Sequence, residues 1–257
     1  MAWDRGTIGG VVLAIGAIAF GLWMEGGRVT QILQPTAALI VFGGTLGAVM
    51  VHFPFHQVRE AGVALRELVL ERAVVPEAVI SQLVSYANQA RKRGIISLDA
   101  ELENIADPFL RRALMLAVDG MAPQELRKLI EVELENDAEA DERIPQVFEA
   151  AGGYSPTIGI IGAVLGLIQV MQHLENIDEV GKGIAVAFVA TVYGVGAANL
   201  LLLPAAGKLR IRLRNAQLLR QMMLEGVVCL LQGMNPRILQ MRLSGFLLDN
   251  KQVKEGN

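Results

Sequence analysis

The sequence is poor in the residue types that carry most enzyme chemistry. It holds one cysteine, Cys229, three histidines and only 5% aromatic residues in 257 positions. A lone cysteine cannot form an intramolecular disulfide or a paired-cysteine metal site. A Walker A loop, a Gly-x-Gly-x-x-Gly turn after a strand and a His-Glu-x-x-His helix are also missing. These absences argue against an enzyme, a bound cofactor and a nucleic-acid partner.

Two of the histidines, His52 and His56 in VHFPFHQ, are four residues apart, the spacing that places side chains on one face of a helix. Pro54 lies between them, and no carboxylate cluster is adjacent. A metal ion usually needs further ligands of this kind. We therefore interpret these residues as interfacial histidines and expect no metal site.

Long apolar runs are abundant, and charge is almost missing from them. Hydrophobic residues make up 53% of the chain, and the mean hydropathy is +0.42. Four runs, 7–24, 36–53, 154–174 and 183–203, have about the length that a transmembrane helix needs. No useful length of the chain alternates with period two, as a strand would. The sequence predicts an all-α integral membrane protein with four transmembrane helices and a large helical cytoplasmic domain.

The distribution of basic residues predicts the orientation of the four spans. The short linkers 25–35 and 175–182 hold one basic residue each, whereas KLRIRLRNAQLLR (208–220) follows the fourth span. Lys and Arg near span ends mark the cytoplasmic side. Both termini and the long segment between the second and third spans are therefore expected in the cytoplasm. No A-x-A-like cleavage site follows the first run, so we expect it to remain as a mature helix.

The four spans divide the chain into four segments. Residues 1–53 hold transmembrane helices 1 and 2, 54–153 form a helical cytoplasmic domain, 154–205 hold helices 3 and 4, and 206–257 form a basic cytoplasmic helix and tail. The segment 55–151 carries 18 acidic and 11 basic residues, and 206–257 carries 3 and 9. Two interpretations stay open: a basic collar at the lipid head groups, which we favour, and ion pairing between the tail and the loop.

Helix start and stop signals divide the cytoplasmic segment. Pro76 and Gly94 bound one predicted helix, which follows a helix in VREAGVALRELVLE (58–71). Another helix is predicted near Ser97, and the pairs Asp107-Pro108 and Ala122-Pro123 each restart a helix. The last of these helices is predicted to join the third span almost continuously, with bends at Pro145 and Gly152-Gly153.

The cytoplasmic segment also contains a compact charged cluster, ARKRGIISLDAELE (90–103). Basic residues end one predicted helix, and acidic residues begin the next. One interpretation is complementarity to the helix dipoles, which favour cations at a C-terminus and anions at an N-terminus. The other is a docking surface of both signs for a charged partner.

The spans contain no Asp, Glu, Lys or Arg, although ion-carrying spans normally hold such a group. Their polar groups are hydroxyls and amides, which can line a wet path or bond to a neighbouring helix: Thr157, Gln169, Thr191, Tyr193 and Asn199. Small residues repeat along spans two, three and four, as in Gly159, Gly162 and Gly166. Such faces allow close helix packing, either within the chain or with another chain.

Two prolines, Pro156 and Pro204, lie where spans three and four meet the predicted cytoplasmic side. Each removes a backbone donor and can bend its helix. They are expected at similar depth and predict a hinge between the membrane and the cytoplasmic helices; two ordinary helix-end prolines are the alternative.

These features resemble a known family. The stretch AGGYSPTIGIIGAVLGLIQVMQHLENIDEVGKGIAVAFVATVYGVGAANLLLLPAAGKL (151–209) is similar to the signature region of the flagellar motor stator A subunit, the MotA/PomA type within the MotA/TolQ/ExbB superfamily. The stretch 90–120 resembles that family's torque-generating segment. The resemblance implies a homopentamer in the bacterial inner membrane. The pentamer would surround two helices of a B-type subunit that supplies the ion-binding aspartate, and it would push on the switch protein of the flagellar rotor.

Individual residues carry over from the family's motifs. Pro156 and Pro204 match its two functional prolines, and Thr191 matches a threonine that faces the ion path, beside Tyr193. Rotor contact is implied for four charged residues, with Asp99 standing where the family usually has Glu: Arg91, Lys92, Asp99 and Glu101.

The transported ion is expected to be H⁺, with Na⁺ as the alternative. Sodium-type relatives tend to have threonine where this chain has Ala163 and Ala190, so two hydroxyls that could help to strip water from Na⁺ are missing. A TolQ/ExbB-like transducer of a non-flagellar system is the alternative function. A self-sufficient transporter is a third hypothesis, but it needs a charged or broken-helix site in the spans, which the sequence lacks.

Overall fold

The computed structural model describes residues 2–68, 70–71 and 75–255. Nearly all of this part is helical, which confirms the all-α class. The strands within it are two short segments, β1 (Ala2–Trp3) and β2 (Leu70–Glu71), which pair antiparallel. The α-helices of the described residues are α1 (Arg5–Met24), α2 (Pro35–Ala38), α3 (Gly44–His52), α4 (Phe55–Leu68), α5 (Pro76–Arg93), α6 (Pro108–Val118), α7 (Pro123–Gln172), α8 (Ile177–Ala197), α9 (Leu203–Leu231) and α10 (Pro236–Glu255).

Four helical stretches are long and apolar enough to cross a membrane, and they contain the four predicted spans. The first two are Gly6–Met24 and Pro35–His52. The other two are the apolar parts of much longer helices. The predicted junction at 154 is confirmed, because α7 continues through Pro145 and Pro156 without ending. Its charged half is rich in Ala, Glu and Leu, which favour helix as strongly as the apolar half does.

Helix boundaries follow the local capping chemistry in most places. α5 begins at Pro76 and ends at Gly94, whose φ of 80° few other residues adopt. Asp107 accepts a hydrogen bond from the Leu110 amide at 3.0 Å and caps α6. Predictions for these boundaries are confirmed. The helix predicted over 58–71 is α4, which begins three residues earlier; Val69 lies outside the described residues.

Three local predictions were wrong. The chain near Ser97 forms a 3₁₀ segment, Ile95–Asn104, instead of an α-helix. The linker predicted over 175–182 is shorter, because Asn176 caps α8 and Asp178 and Glu179 favour the positive end of the helix dipole. The C-terminal segment forms two helices, because Gly233 adopts a φ of 70° and Pro236 then starts α10.

The chain divides into two compact units. The span unit comprises Met1–Arg72 and Glu142–Ile211, and the helical unit comprises Ala73–Asp141 and Arg212–Asn257. The span unit buries small and branched side chains such as Ala37, Val41, Ala190 and Ala198. The core of the helical unit consists of large aliphatic residues that are almost fully buried: Leu83, Leu98, Leu110, Leu114, Leu126, Ile130, Met222, Met223, Leu239 and Leu243.

Candidate functional site

The last two spans, in α7 and α8, pack at backbone distance along a run of small residues. A Cβ added to Gly166 would lie 2.7 Å from the Gly183 carbonyl oxygen. One added to Gly159 would lie 2.9 Å from the Ala190 carbonyl oxygen. Real Cβ atoms do not approach backbone this closely, so only glycine fits. Of the two roles that the sequence left open for these glycines, packing within the chain is confirmed.

The second span joins this pair through its own irregular helix. Residues Leu39–Gly43 form a π-helical segment between α2 and α3. Ile40 lies beside Gly162, and Ile158 lies beside Gly44. Thr45 donates to the Val41 carbonyl at 2.6 Å, which satisfies its buried hydroxyl. The three spans thus form one packed group, whereas no residue in the apolar window of the first span is buried.

Pro156 packs against α8, and Leu203, the neighbour of Pro204, packs against Gly152 of α7. A Cβ on Gly194 would lie 3.2 Å from Pro156 Cα, and one on Gly152 would lie 2.6 Å from a Leu203 methyl. Pro156 thus lies level with Gly194, which is ten residues before Pro204 in the chain, and a similar depth for the two prolines stays a prediction. A π-helical segment, Ala198–Leu202, precedes Pro204. Its wider hydrogen-bond register accommodates the missing N–H of the proline.

A buried hydroxyl lies directly before Pro156 in α7. Ser155 is fully buried, and its Oγ has no hydrogen-bond partner among the described residues. Buried polar groups normally have a hydrogen-bond partner, so a buried hydroxyl without one needs an explanation. Because the nitrogen of Pro156 donates no hydrogen bond, α7 has two adjacent residues here that lack a usual hydrogen bond.

The residues predicted to line the ion path lie on or beside the α7–α8 contact. Ala190 is fully buried against Gly159 and Gly162, and Ala163 is half-buried. Thr191 is half-buried, and its hydroxyl donates to the Ala187 carbonyl of its own helix at 3.2 Å. Ala190 therefore offers no exposed surface in the single chain, whereas Thr191 and Ala163 keep partly exposed side chains at mid-span.

Tyr193 holds the linker between the first two spans. Its hydroxyl donates to the Ile32 carbonyl at 2.6 Å and accepts from the Gln34 amide at 3.3 Å. Its ring stacks on Phe42 at 5.7 Å between centroids. Sequence spacing could not reveal these contacts, because Ile32 and Tyr193 are 161 residues apart in the chain.

The predicted rotor-contact residues lie together at the end of α5 and in the following 3₁₀ segment. Arg91, Lys92 and Asp99 are exposed, and Glu101 is half-buried. None of the four forms an ion pair with another described residue. The frame beneath them is fixed: Leu98 is 1% exposed, and Gln89 donates to the Ser97 carbonyl at 2.9 Å.

The positions of these charged residues in α5 and in the 3₁₀ segment distinguish between the two interpretations of the cluster. The basic residues do lie in the last turn of α5, where the helix dipole favours them. The acidic residues, however, lie within a 3₁₀ segment and not in the first turn of an α-helix. Dipole complementarity therefore accounts for only half of the cluster. The exposed acids favour a docking surface of both signs.

Family models and known proteins match nearly the whole chain. The MotA/TolQ/ExbB proton channel family matches residues 101–222, and the Motility protein A N-terminal family matches 8–94. Motility protein A of Bacillus subtilis is 32% identical over 98% of this chain and 93% of its own. The chain belongs to the MotA/TolQ/ExbB proton channel family. The resemblance stated from the sequence is thereby confirmed.

The chain is also similar to a chemotaxis protein and to chains of solved MotAB structures. Chemotaxis protein PomA of Vibrio alginolyticus is 31% identical over 97% of this chain and 96% of its own. The flagellar MotAB stator complex of B. subtilis contains a chain with a TM-score of 0.90 and 32% identity, covering 99% of this chain and 100% of that one. A C. jejuni MotAB structure also gives a TM-score of 0.90, at 30% identity, with 95% of both chains covered.

The charge asymmetry of this MotA-family chain has a structural explanation in ion pairs. Arg210 binds Glu149 with both terminal nitrogens and Glu142 through Nε. Arg220 lies 3.3 Å from Asp137 and 3.9 Å from Asp141. The interpretation that we favoured from sequence, a basic collar at lipid head groups, was therefore wrong for these two arginines. They pair with acids of α7.

A further ion cluster in the MotA-family chain was not predicted. Glu225 of α9, with its side chain 10% exposed, lies 2.5 Å from Arg127 and 2.7 Å from Arg242. Burial acts to raise the pKa of Glu225, but the hydrogen bond and charge of Arg127, with the charge of Arg242, outweigh it. The pKa of Glu225 therefore lies below its ordinary value of 4.5. The only sequence signal was a single acid in an apolar stretch, MMLEGVVCLL.

This lowered pKa makes the stability of the helical unit depend on pH. Glu225 makes its full contribution to the free energy of unfolding at pH values above its pKa in the unfolded chain. That contribution is lost as the pH falls through its pKa in the folded chain. We expect Glu225→Gln to lower the free energy of unfolding by about 2 kcal/mol near neutral pH, because it removes the charge-assisted contacts of Arg127 and Arg242 with a largely buried carboxylate. The variant should also lose less stability than the wild type on acidification below 4.5.

Thermal unfolding of the purified chain over a pH series measures both effects. The matched control is Glu133→Gln, because Glu133 pairs with Arg112 at the surface, with side chains 27% and 55% exposed. Exposed pairs contribute less than about 1 kcal/mol. If the two variants lost the same amount of stability, the larger contribution assigned to Glu225 would be contradicted.

Proposed function

We propose that the chain is the A-type subunit of a flagellar motor stator. With a B-type partner it forms an ion channel and converts ion-motive force into torque on the rotor. One observation carries this proposal: spans three and four pack closely around glycines but hold no Asp, Glu, Lys or Arg. The ion-binding acid must then come from another chain. The likeness to the MotAB complexes of B. subtilis and C. jejuni supports the same division of roles.

The partner helix lies against α8 on the side turned away from α7. Three large apolar residues stay exposed there in the single chain: Phe188 at 72%, Val192 at 52% and Val195 at 46%. An apolar face of this size is typical of a surface that other helices cover. In the proposed assembly, five A subunits enclose two B helices, and an aspartate of B comes near Thr191, which lies one helical turn from both Phe188 and Val195 on α8.

Pro156 and Pro204 couple ion transit to movement. Bending costs little free energy at these two positions, because the prolines lack donors, a π-helical segment precedes Pro204, and the Ser155 hydroxyl before Pro156 has no partner among the described residues. The rotor surface is the charged cluster of Arg91, Lys92, Asp99 and Glu101. Its exposed charges have no competing ion pairs among the described residues, so a rotor surface of complementary charge can bind them.

The protein lies in the bacterial inner membrane with both termini in the cytoplasm. The hydrogen bond between Lys208 and Asp4 supports this arrangement, because it places the end of span four and the start of span one on the same side. The transported ion is H⁺. Ala163 and Ala190 offer no hydroxyl that could replace water around Na⁺, whereas a proton can pass along bonded water.

A swimming assay tests the function and the ion together. The gene for this chain and that of its neighbouring single-span partner are expressed in a motile bacterium that lacks its own stators. We expect swimming in sodium-free medium at constant proton-motive force. Absence of swimming with and without sodium would overturn the stator function. Swimming that requires sodium would overturn only the choice of ion.

Electron microscopy of the complex purified from the same strain tests the assembly. We expect a five-fold ring around two additional helices, each with an aspartate level with Thr191. A ring without enclosed helices, or a monomer with a closed cavity, would contradict the proposed division of roles.

A further inference from the structure

An apolar groove of about 510 Å³ runs beside α1 in the span unit. One wall is α1 itself, through Gly6, Gly10 and Ala14. The opposite wall is the end of span four, where Leu201 and Pro204 face the groove. Its volume lies within the range of about 300–1,000 Å³ that small-molecule sites occupy.

The α1 wall is built mostly from small side chains, with Val11 as its largest apolar residue. The large apolar residues of α1 point elsewhere and are exposed, for example Val12 at 65% and Leu13 at 73%. An apolar void is unfavourable because its lining loses dispersion contacts on one side. In a bilayer, the hydrocarbon that can fill such a groove is an acyl chain.

One end of the groove is charged with both signs. The Lys208 ammonium donates to the Asp4 carboxylate and to the Thr7 hydroxyl. The two charged side chains are 27% and 15% exposed, so the pair is partly buried at the mouth of the groove. An ammonium has three donors, and two are used here; a carboxylate can accept several hydrogen bonds.

This charged end lies at the membrane boundary. Asp4 directly precedes α1, and Lys208 follows the fourth span. Lipid head groups occupy the layer just outside the hydrocarbon core. An ammonium and a carboxylate side by side complement a head group that carries a phosphate and an ammonium of its own.

We propose that this groove binds a phospholipid with a primary ammonium head group, a phosphatidylethanolamine. One acyl chain occupies the groove, the lipid phosphate accepts from Lys208, and the lipid ammonium donates to Asp4. Phosphatidylglycerol offers no cation for Asp4, and phosphatidylcholine has no N–H to donate. The site is separate from the ion path and from the rotor surface, so it goes beyond the proposed stator function.

Native mass spectrometry of the purified full-length chain in its assembled form tests this site. The protein is delipidated and then exposed in turn to phosphatidylethanolamine, phosphatidylglycerol and phosphatidylcholine. Gly10→Leu fills the groove, and Gly9→Leu is its matched control. A Cβ on either glycine has no atom within 4 Å, so both variants should fold, but Gly10 lines the groove and Gly9 does not.

A second pair of variants tests the head-group contact. Lys208→Gln removes the ammonium, and Lys182→Gln makes the same change at an exposed lysine near the start of α8. We expect wild type, Gly9→Leu and Lys182→Gln to retain phosphatidylethanolamine over the other two lipids. Lys208→Gln should bind it about tenfold more weakly, as loss of a charge-assisted hydrogen bond implies. Gly10→Leu should not retain it.

Several results would overturn the proposal. They are equal retention by the two glycine variants, equal retention of all three lipids, and no retained lipid in the wild type. If Gly10→Leu instead breaks the assembly while the wild type holds no lipid, the occupant is a helix of a second copy. If Lys208→Gln does not fold, the glycine pair alone decides.

Discussion

Gly194→Ala is expected to abolish swimming supported by this chain. The added Cβ would lie 2.6 Å from the Ser155 carbonyl oxygen and 3.1 Å from Gly159 Cα. Both neighbours are backbone atoms of α7, so no side chain can turn aside and the two helices must separate. Overpacking of this kind costs typically about 1–3 kcal/mol. The separation falls at the level of Pro156, where the proposed mechanism needs a defined geometry.

Gly196→Ala, two residues further along the chain, is the matched control. A Cβ at Gly196 has no atom within 4 Å in the chain, and alanine favours the helix over glycine by about 1 kcal/mol. We expect normal swimming and an unchanged or raised melting temperature for this control. Soft-agar swimming and thermal unfolding of the purified chain measure the two effects. Equal behaviour of both variants would show that the close α7–α8 contact does not limit function.

Arg91→Glu is expected to reduce swimming by about tenfold or more without lowering the melting temperature. Arg91 is exposed and unpaired among the described residues, and surface substitutions of this kind change stability by less than about 0.5 kcal/mol. Reversal of its charge places a repulsive group on the proposed rotor surface, and like charges across an interface cost several kcal/mol. Torque should therefore fall while folding and ion conduction persist.

The control for Arg91→Glu is Lys128→Glu, the same charge reversal at an exposed position of α7 in the helical unit. Bead rotation measures torque, and co-purification with the B-type partner measures assembly. We expect wild-type torque for the control and full assembly for both variants. A variant Arg91→Glu that rotates normally would remove Arg91 from the rotor surface. A variant that fails to assemble would instead assign it a structural role.

Much of the fold followed from short-range patterns in the sequence. Apolar length placed the four spans, and Pro76 with Gly94 bounded α5, because these signals act within one or two helical turns. The absence of acids in the spans argued against the chain alone as a proton carrier, and the family resemblance then implied a partner that supplies the acid. The region near Ser97 was harder, because α-helix and 3₁₀-helix share nearly the same backbone dihedrals and favour similar residues.

The contacts between distant residues could not be derived in this way. Counting charges left two explanations open for the basic tail, and only the position of Arg210 between Glu142 and Glu149 decided between them. From the sequence alone, the Tyr193 hydroxyl could equally have been expected to face the ion path. Its bond to Ile32 depends on the packing of span two against span four.

The sequence by itself determined the number of spans, their length, the helix caps and the lack of an internal ion-binding acid, because each depends on local composition and on transfer into the bilayer. The tertiary structure decided which glycines meet backbone, which charges pair, and where a groove opens between α1 and the end of span four. Those features depend on contacts between residues that are distant in the chain, such as Glu149 and Arg210, 61 residues apart, or Asp4 and Lys208, 204 residues apart. Hydropathy and capping signals carry no information about such distances.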